Sequence, residues 1–399
     1  MQPVYLDNNA TTRMEPAVLA AMLPYFTEHF GNPSSQHGFG TVAGEAERAA
    51  REQVRALVGA AHAHEIVFTS GGTESDNAAI LSALEAQAAR NEAIVSAVEH
   101  PAVLSLVQHL AKQRGIAVRT IPVDGKGRLD MDAYRAALGP NTAIVSIMWA
   151  NNETGTIFPV AELAALAHEA GALFHTDAVQ AAGRVALDVK AAAVDMLSLS
   201  AHKFHGPKGI GALYVRKGVR FAPLIRGGKQ ERGRRAGTEN VPAIVGLGKA
   251  AELALARPSG QSGRVGALRD SLEAGVLTRI GGCFVAGDKA NRLANTSCIV
   301  FDAALGEVIL TELNKAGIAA SSGSACASGS VEPSHVLRAM KVPYTAALGA
   351  TRFSLSYENT AADVERVLEV LPAAVAKARE VSGFAPATQD LAHSSSLGG

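Results

Sequence analysis

The sequence of 399 residues holds three cysteines, Cys283, Cys298 and Cys326, and no two of them form a C-x-x-C pair. That scarcity argues against a disulfide framework or a cysteine-rich zinc site and fits a reducing cytoplasm. An excess of either charge is missing too. Lys+Arg and Asp+Glu each count 37, so no global field gathers nucleic acid or an acidic membrane. No stretch approaches about eighteen uninterrupted apolar residues, so a membrane span is not expected. The opening MQPVYLDNNATT has no basic region leading into an apolar run, which excludes a secretory signal of the usual kind. A G-x-x-x-x-G-K-[ST] loop is absent, and no internal repeat is visible. GPKGIG (206–211) leads into the strand-like ALYVRK, not into a helix, so it is no dinucleotide fingerprint.

What is present reads as a globular enzyme of α/β class, with 48% hydrophobic and 19% charged residues. EAIVSAVEH (92–100), IAVRTIPVD (116–124), TAIVSIMWA (142–150), LFHTDA (173–178) and VDMLSLS (194–200) read as strands. PAVLSLVQHLAKQRG (101–115) and PVAELAALAHEAG (159–171) read as helices between them. That alternation predicts a mainly parallel sheet flanked by helices, with ligands at the carboxyl ends of the strands. RPSGQSG (257–263) reads as a linker. The helix–strand set after it predicts a smaller α+β domain, closed by a helix over 361–380 that Thr360 and Asp363 would cap. The expected division is a large domain over 16–257, a small one from 1–15 and 258–384, and a disordered tail over 385–399.

Three groups stand at predicted strand ends. SGGTESDN (70–77) opens a helix after glycines, a good phosphate site, with Gly72 and Thr73 at its start. HTDAVQ (175–180) supplies Asp177 and Gln180, and SLSAHK (198–203) supplies Lys203. A lone lysine there would be a solvated charge. With a phosphate cradle and a carboxylate beside it, the set matches what pyridoxal 5'-phosphate requires: an amine to link to, and an acid that keeps the pyridine nitrogen protonated. His202 and His205 have no third ligand nearby, so no intrinsic metal is expected. SSGSACASGS (321–330) cannot pack a core and reads as an exposed loop around Cys326. Cys298 lies in the apolar TSCIVFD and reads as core, while Cys283 is uninformative. The basic RGGKQERGRR (226–235) lacks interleaved aromatics, so it reads as an interface loop and not a nucleic-acid site.

VYLDNNATT, GNPSSQHGFG, TSGGTESDN, EHPAV, NNETG, HTDAVQ, SAHK, RRAGTEN and SSGSACASGS, in this order, resemble the cysteine desulfurases of the class V aminotransferase group. MWANNETGT, RGGKQERGRRAGTEN and EPSHVLRAM resemble the NifS branch, which supplies sulfur for nitrogenase clusters. The resemblance implies that Lys203 links to the cofactor, Asp177 pairs with its ring nitrogen and Gln180 with its ring hydroxyl. It implies that Gly72, Thr73, Ser200 and His202 hold the phosphate, with Thr238 reaching over from the second subunit of a homodimer. Asn152 would touch the cofactor ring, His100 would stack on it and shuttle protons, and Arg352 with Asn8 would clamp the substrate carboxylate. Cys326 would take the sulfur of L-cysteine as a persulfide, pass it to an iron–sulfur scaffold or other acceptor, and serve at most as a transient iron–sulfur ligand. Ala327 and Ala201 depart from the threonine and glycine usual in the group. Competing readings are a housekeeping desulfurase for general iron–sulfur assembly or tRNA thiolation, a related aminotransferase or selenocysteine lyase, and a non-catalytic sulfur-relay scaffold.

Overall fold

The computed structural model describes residues 3–258, 260–322 and 332–384. Cys326 and the expected tail over 385–399 lie outside the described residues. After a two-residue strand β1 (Val4–Tyr5), seven strands build the main sheet. They are β2 (Ile66–Thr69), β3 (Glu92–Ser96), β4 (Ala117–Ile121), β5 (Thr142–Ser146), β6 (Leu173–Asp177), β7 (Met196–Ser200) and β8 (Gly211–Val215). Their order is β2-β8-β7-β6-β5-β3-β4. Only β8 runs against its neighbours, β2 and β7; the pairs from β7 to β4 are all parallel.

Strands β3, β5, β7 and β8 are buried at every position, which is why EAIVS, TAIVS and MLSLS carry so little polarity. Alternate residues still go to different faces. Val67, Ala93, Val95 and Leu213 pack with Ala79, Ala83, Val103 and Val107 of helices Gly72–Ala86 and Pro101–Arg114. Phe68, Ile94, Val145 and Leu197 pack on the other side with Val54, Leu163 and Leu247, from helices Gly38–Val58, Val160–Glu169 and Val241–Ala256. The predicted sheet with two covered faces is the one the chain forms.

A second layer follows, with β9 (Cys283–Ala286), β10 (Thr296–Phe301), β11 (Ile318–Ala319) and β12 (Ala350–Ser354). An antiparallel sheet runs β12-β10-β9, while β11 pairs in parallel with β1 and sews the N-terminus onto this layer. Its core joins Ile299, Phe301 and Phe353 to Leu272, Ile309 and Leu371 of helices Gly260–Arg279, Gly306–Lys315 and Ala361–Ser382. Thr360 and Asp363 form the expected capping box at the start of the last helix. The linker reading of 257–263 needs correction, because the helix already begins at Gly260. Arg264 donates to the carbonyls of Tyr357 and Asn359, an anchor that extends the helix through a Gly/Ser-rich stretch of poor propensity.

Candidate active site

The carboxyl ends of β2, β3, β5, β6 and β7 converge on a cavity of about 620 Å³, which Arg352 of β12 closes from the second layer. Asp177 is the last residue of β6, and a tight turn brings Gln180 to the same edge. Ser200 ends β7, and a single 3-10 turn, Ala201–Lys203, follows and carries His202 and Lys203. Helix Gly72–Ala86 starts beside them. The N–H groups of its first turn have no partner inside the helix. A Cβ on Gly72 would come within 2.8 Å of Val179 Cγ2, so glycine permits the turn after β6 to lie against the helix start.

Lys203 Nζ donates to the carbonyls of Asn9 (2.6 Å) and Ala10 (2.9 Å), not to a carboxylate. Burial, with Arg184 and Arg352 nearby, brings its pKa down to about 8. Asp177 Oδ1 accepts from the Val179 N–H at 2.9 Å, and among the described residues no cationic side chain pairs with this carboxylate. Burial raises its pKa, while His100 and Lys203 pull the other way. His100 caps helix Pro101–Arg114, its Nδ1 accepting from the Ala102 N–H at 3.1 Å, and burial lowers its pKa. Arg352 donates to Asp7 Oδ1 (2.8 Å) and the Asn152 carbonyl (3.1 Å), and its buried Nε has no partner.

Gly72, Thr73, His100, Asn152, Asp177, Gln180, Ser200, His202, Lys203 and Arg352 all line this one cavity. Two expected residues do not. Asn8 points its amide at the carbonyls of Ser354 (2.9 Å) and Tyr5 (3.4 Å) and borders a separate cleft; its neighbours Asn9 and Ala10 line the cavity. Thr238 borders another hollow, with Ser70, Arg235 and Asn240. Residues that the sequence reading did not single out also face the cavity, among them Asp76, Glu153, His335 and Arg338. Asp76 is wholly buried next to Asp177, its Oδ1 without a hydrogen bond but 3.6 Å from His175 Nε2, and burial pushes its pKa well up. TESDN, NNETG and EPSHVLRAM carry these groups, but only the folded chain turns them inward. Cys298 is core, as expected, and burial pushes its thiol up to about 12. No group of three or more His, Cys, Asp or Glu suited to a metal ion occurs among the described residues.

The donor set suits pyridoxal phosphate. A buried carboxylate without a cation awaits a protonated ring nitrogen, and a neutralisable lysine awaits an aldehyde. Open first-turn N–H groups at Gly72 and Thr73, beside Ser200 and His202, await a phosphate.

Comparison with known proteins agrees. The aminotransferase class-V profile matches residues 4–367. A cysteine desulfurase of Gluconacetobacter diazotrophicus is 67% identical over 96% of this chain and 96% of the relative. The cysteine desulfurase NifS of Azotobacter vinelandii is 58% identical, over 96% of this chain and 95% of the relative. A solved NifS-like protein superposes with a TM-score of 0.87 at 37% identity, covering 96% of this chain and all of that one. The chain belongs to the class-V aminotransferase family of pyridoxal-phosphate enzymes, and its relatives there are cysteine desulfurases.

Proposed function

We propose that the chain converts L-cysteine to L-alanine and keeps the sulfur as a persulfide on Cys326. The observation that carries the reading is the single cavity in which Lys203, Asp177, His100 and Arg352 meet. Bound pyridoxal phosphate supplies an aldehyde that links to amines and a ring that withdraws electrons from the substrate carbons. Lys203, with a pKa of about 8, holds and releases a proton near neutrality. His100 is neutral, and with Nδ1 engaged by Ala102 it keeps its proton at Nε2. Arg352 lines the cavity and is the cation that would meet a substrate carboxylate. The Cys326 thiolate attacks the substrate sulfur, an S–S bond forms and the C–S bond breaks. The electron pair stays with the carbon, which takes up a proton as the methyl group of alanine. No outside oxidant is required.

The finer reading is a homodimer that feeds an iron–sulfur scaffold for nitrogenase maturation in a reducing cytoplasm. Its support is the NifS-like motifs, the named relative, and the two described cysteines, which are free thiols. Among the described residues no helix is long and apolar enough to cross a membrane. The two-domain division at 16–257 is supported by the separate sheets of the two layers.

Purified protein given L-cysteine and a reductant should release alanine and sulfide in equal amounts. Lys203→Ala should lose the absorption of the linked cofactor and all turnover. Cys326→Ala should keep that absorption and make almost no alanine. Full turnover in Cys326→Ala, or alanine only when a keto acid is added, would sink the reading. Deleting the gene should cost growth on dinitrogen and spare growth on ammonium; an equal loss on both points to the housekeeping role.

A further inference from the structure

Arg184 stands behind the cavity wall, seven residues after Asp177 and one helical turn after Gln180. Its guanidinium donates to the Gln180 carbonyl (3.1 Å), the Gln180 side-chain Oε1, the Asn8 carbonyl (3.0 Å) and the Lys203 carbonyl (3.2 Å). One side chain thus ties together the turn after β6, the turn after β7 and the N-terminal segment, which are the three pieces that frame the cofactor site. Among the described residues no carboxylate pairs with Arg184. Burial, with Arg352 and Arg257 nearby, brings its pKa down to about 9, so a cation is held on neutral oxygens alone.

An arginine has donors and no acceptor. The oxygen of the Gln180 amide must therefore face Arg184, and its nitrogen must face the other way. That nitrogen donates one hydrogen to the Asn9 carbonyl at 2.9 Å. The second is what Gln180 has left to offer, and Gln180 lines the cavity. Without the arginine, the Asn9 carbonyl alone would orient the amide, which would then be held at its nitrogen and left unpinned at its oxygen.

We infer that Arg184 is a positioning residue that acts through Gln180, locking its amide so that an N–H meets the ring oxygen of the cofactor. The inference rests on the proposed placement of Gln180 at that oxygen. An N–H there holds the oxygen as an anion and weakens its grip on the proton shared with the linked Lys203 nitrogen. A carbonyl there would repel it. Asp177 at the end of β6, Asp7 after β1, Arg352 on β12, His100 at its helix start and His202 on the 3-10 turn all act on the same proton. The charge of Arg184 acts on Lys203 directly as well, so only the double variant separates that effect from action through Gln180.

The experiment is a pH titration of the visible absorption of the holoenzyme. Arg184→Met should raise the midpoint by about one pH unit. Gln180→Ala should raise it as well, and Arg184→Met placed on Gln180→Ala should add less than half of its effect in the wild type. Arg184→Lys, still a donor only, should lie within a few tenths of a unit of wild type. Arg184→Gln, which offers a donor and an acceptor, should move the midpoint as Met does and serves if Met prevents folding. Fully additive shifts would mean that Arg184 acts as a distant charge, and an unmoved midpoint in Arg184→Met and Arg184→Gln beside a shifted Gln180→Ala would mean that it does not act at all. Either result overturns the inference. An unmoved Gln180→Ala would instead show that Gln180 does not meet the ring oxygen, and the inference falls with that placement.

Discussion

Glu99 shows how far burial alone can set the charge state of a residue at the edge of this site. Its carboxyl is fully buried, accepts the Ser96 hydroxyl at 2.5 Å and shares the Met148 N–H at 3.0 Å between its two oxygens. Burial is the largest cause that lifts its pKa from 4.5 to about 8, although those hydrogen bonds oppose the rise. The folded protein therefore keeps a proton on Glu99 at neutral pH where the unfolded chain does not. A raised pKa contributes stability that is fully present below about pH 4.5 and is lost as the pH climbs to about 8. Glu99→Gln mimics the protonated acid and lacks that dependence. Its melting temperature should gain on wild type by a few degrees between pH 5 and pH 8, in thermal scans of the holoenzyme. A gap that stays flat or narrows with pH would contradict a protonated Glu99.

At the scale of elements, the site depends on how closely helix Gly72–Ala86 meets the turn after β6. The clash expected of a Cβ at Gly72 is with Val179, a β-branched side chain that has little freedom to rotate away. Gly72→Ala should push the helix start off the turn and tilt its free N–H groups away from the phosphate position. Cofactor affinity, measured by absorbance titration of the apoenzyme, should fall by about tenfold, the loss of roughly one charge-assisted hydrogen bond. The melting temperature of the apoenzyme should change little, because the fault lies at one helix end. Unchanged affinity would move the phosphate elsewhere.

For the whole molecule, the proposed dimer has two physical supports. Thr238 lies outside its own cavity, and Phe26, Phe30 and Phe39 are 58%, 67% and 59% exposed, a cost that a second copy would relieve. If Thr238 serves the partner's site, unfolding and re-pairing Lys203→Ala with Thr238→Ala chains should recover activity. One site of the mixed dimer would carry both lesions and the other none, so about a quarter of wild-type activity is expected from random pairing (half the dimers mixed, each with one intact site). Activity no higher than that of the separate variants would exclude the shared site.

Much of this molecule follows from the sequence by local physics. Runs such as TAIVS and MLSLS have too little polarity for an exposed strand, and Thr360 with Asp363 marks a helix start, so the main sheet and the last helix were readable. Lys203, Asp177 and Gly72 were readable too, because strand ends in a parallel sheet share one edge and the motifs sit at those ends. Other features depended on contacts distant in sequence. The helix from Gly260 exists because Arg264 meets Tyr357 and Asn359, about a hundred residues on, against the propensity of its own glycines and serines. Asn8 and Asn9 are adjacent and chemically alike, yet Asn9 lines the cavity and Asn8 donates to the carbonyls of Ser354 and Tyr5, because the segment after β1 is pinned at Ser354 of β12. Nothing local marks Asp76 as a carboxyl whose pKa burial raises, or Arg184 as an arginine that no carboxylate among the described residues pairs. A charge state is set by the surroundings that the fold assembles, and only the tertiary structure decided it.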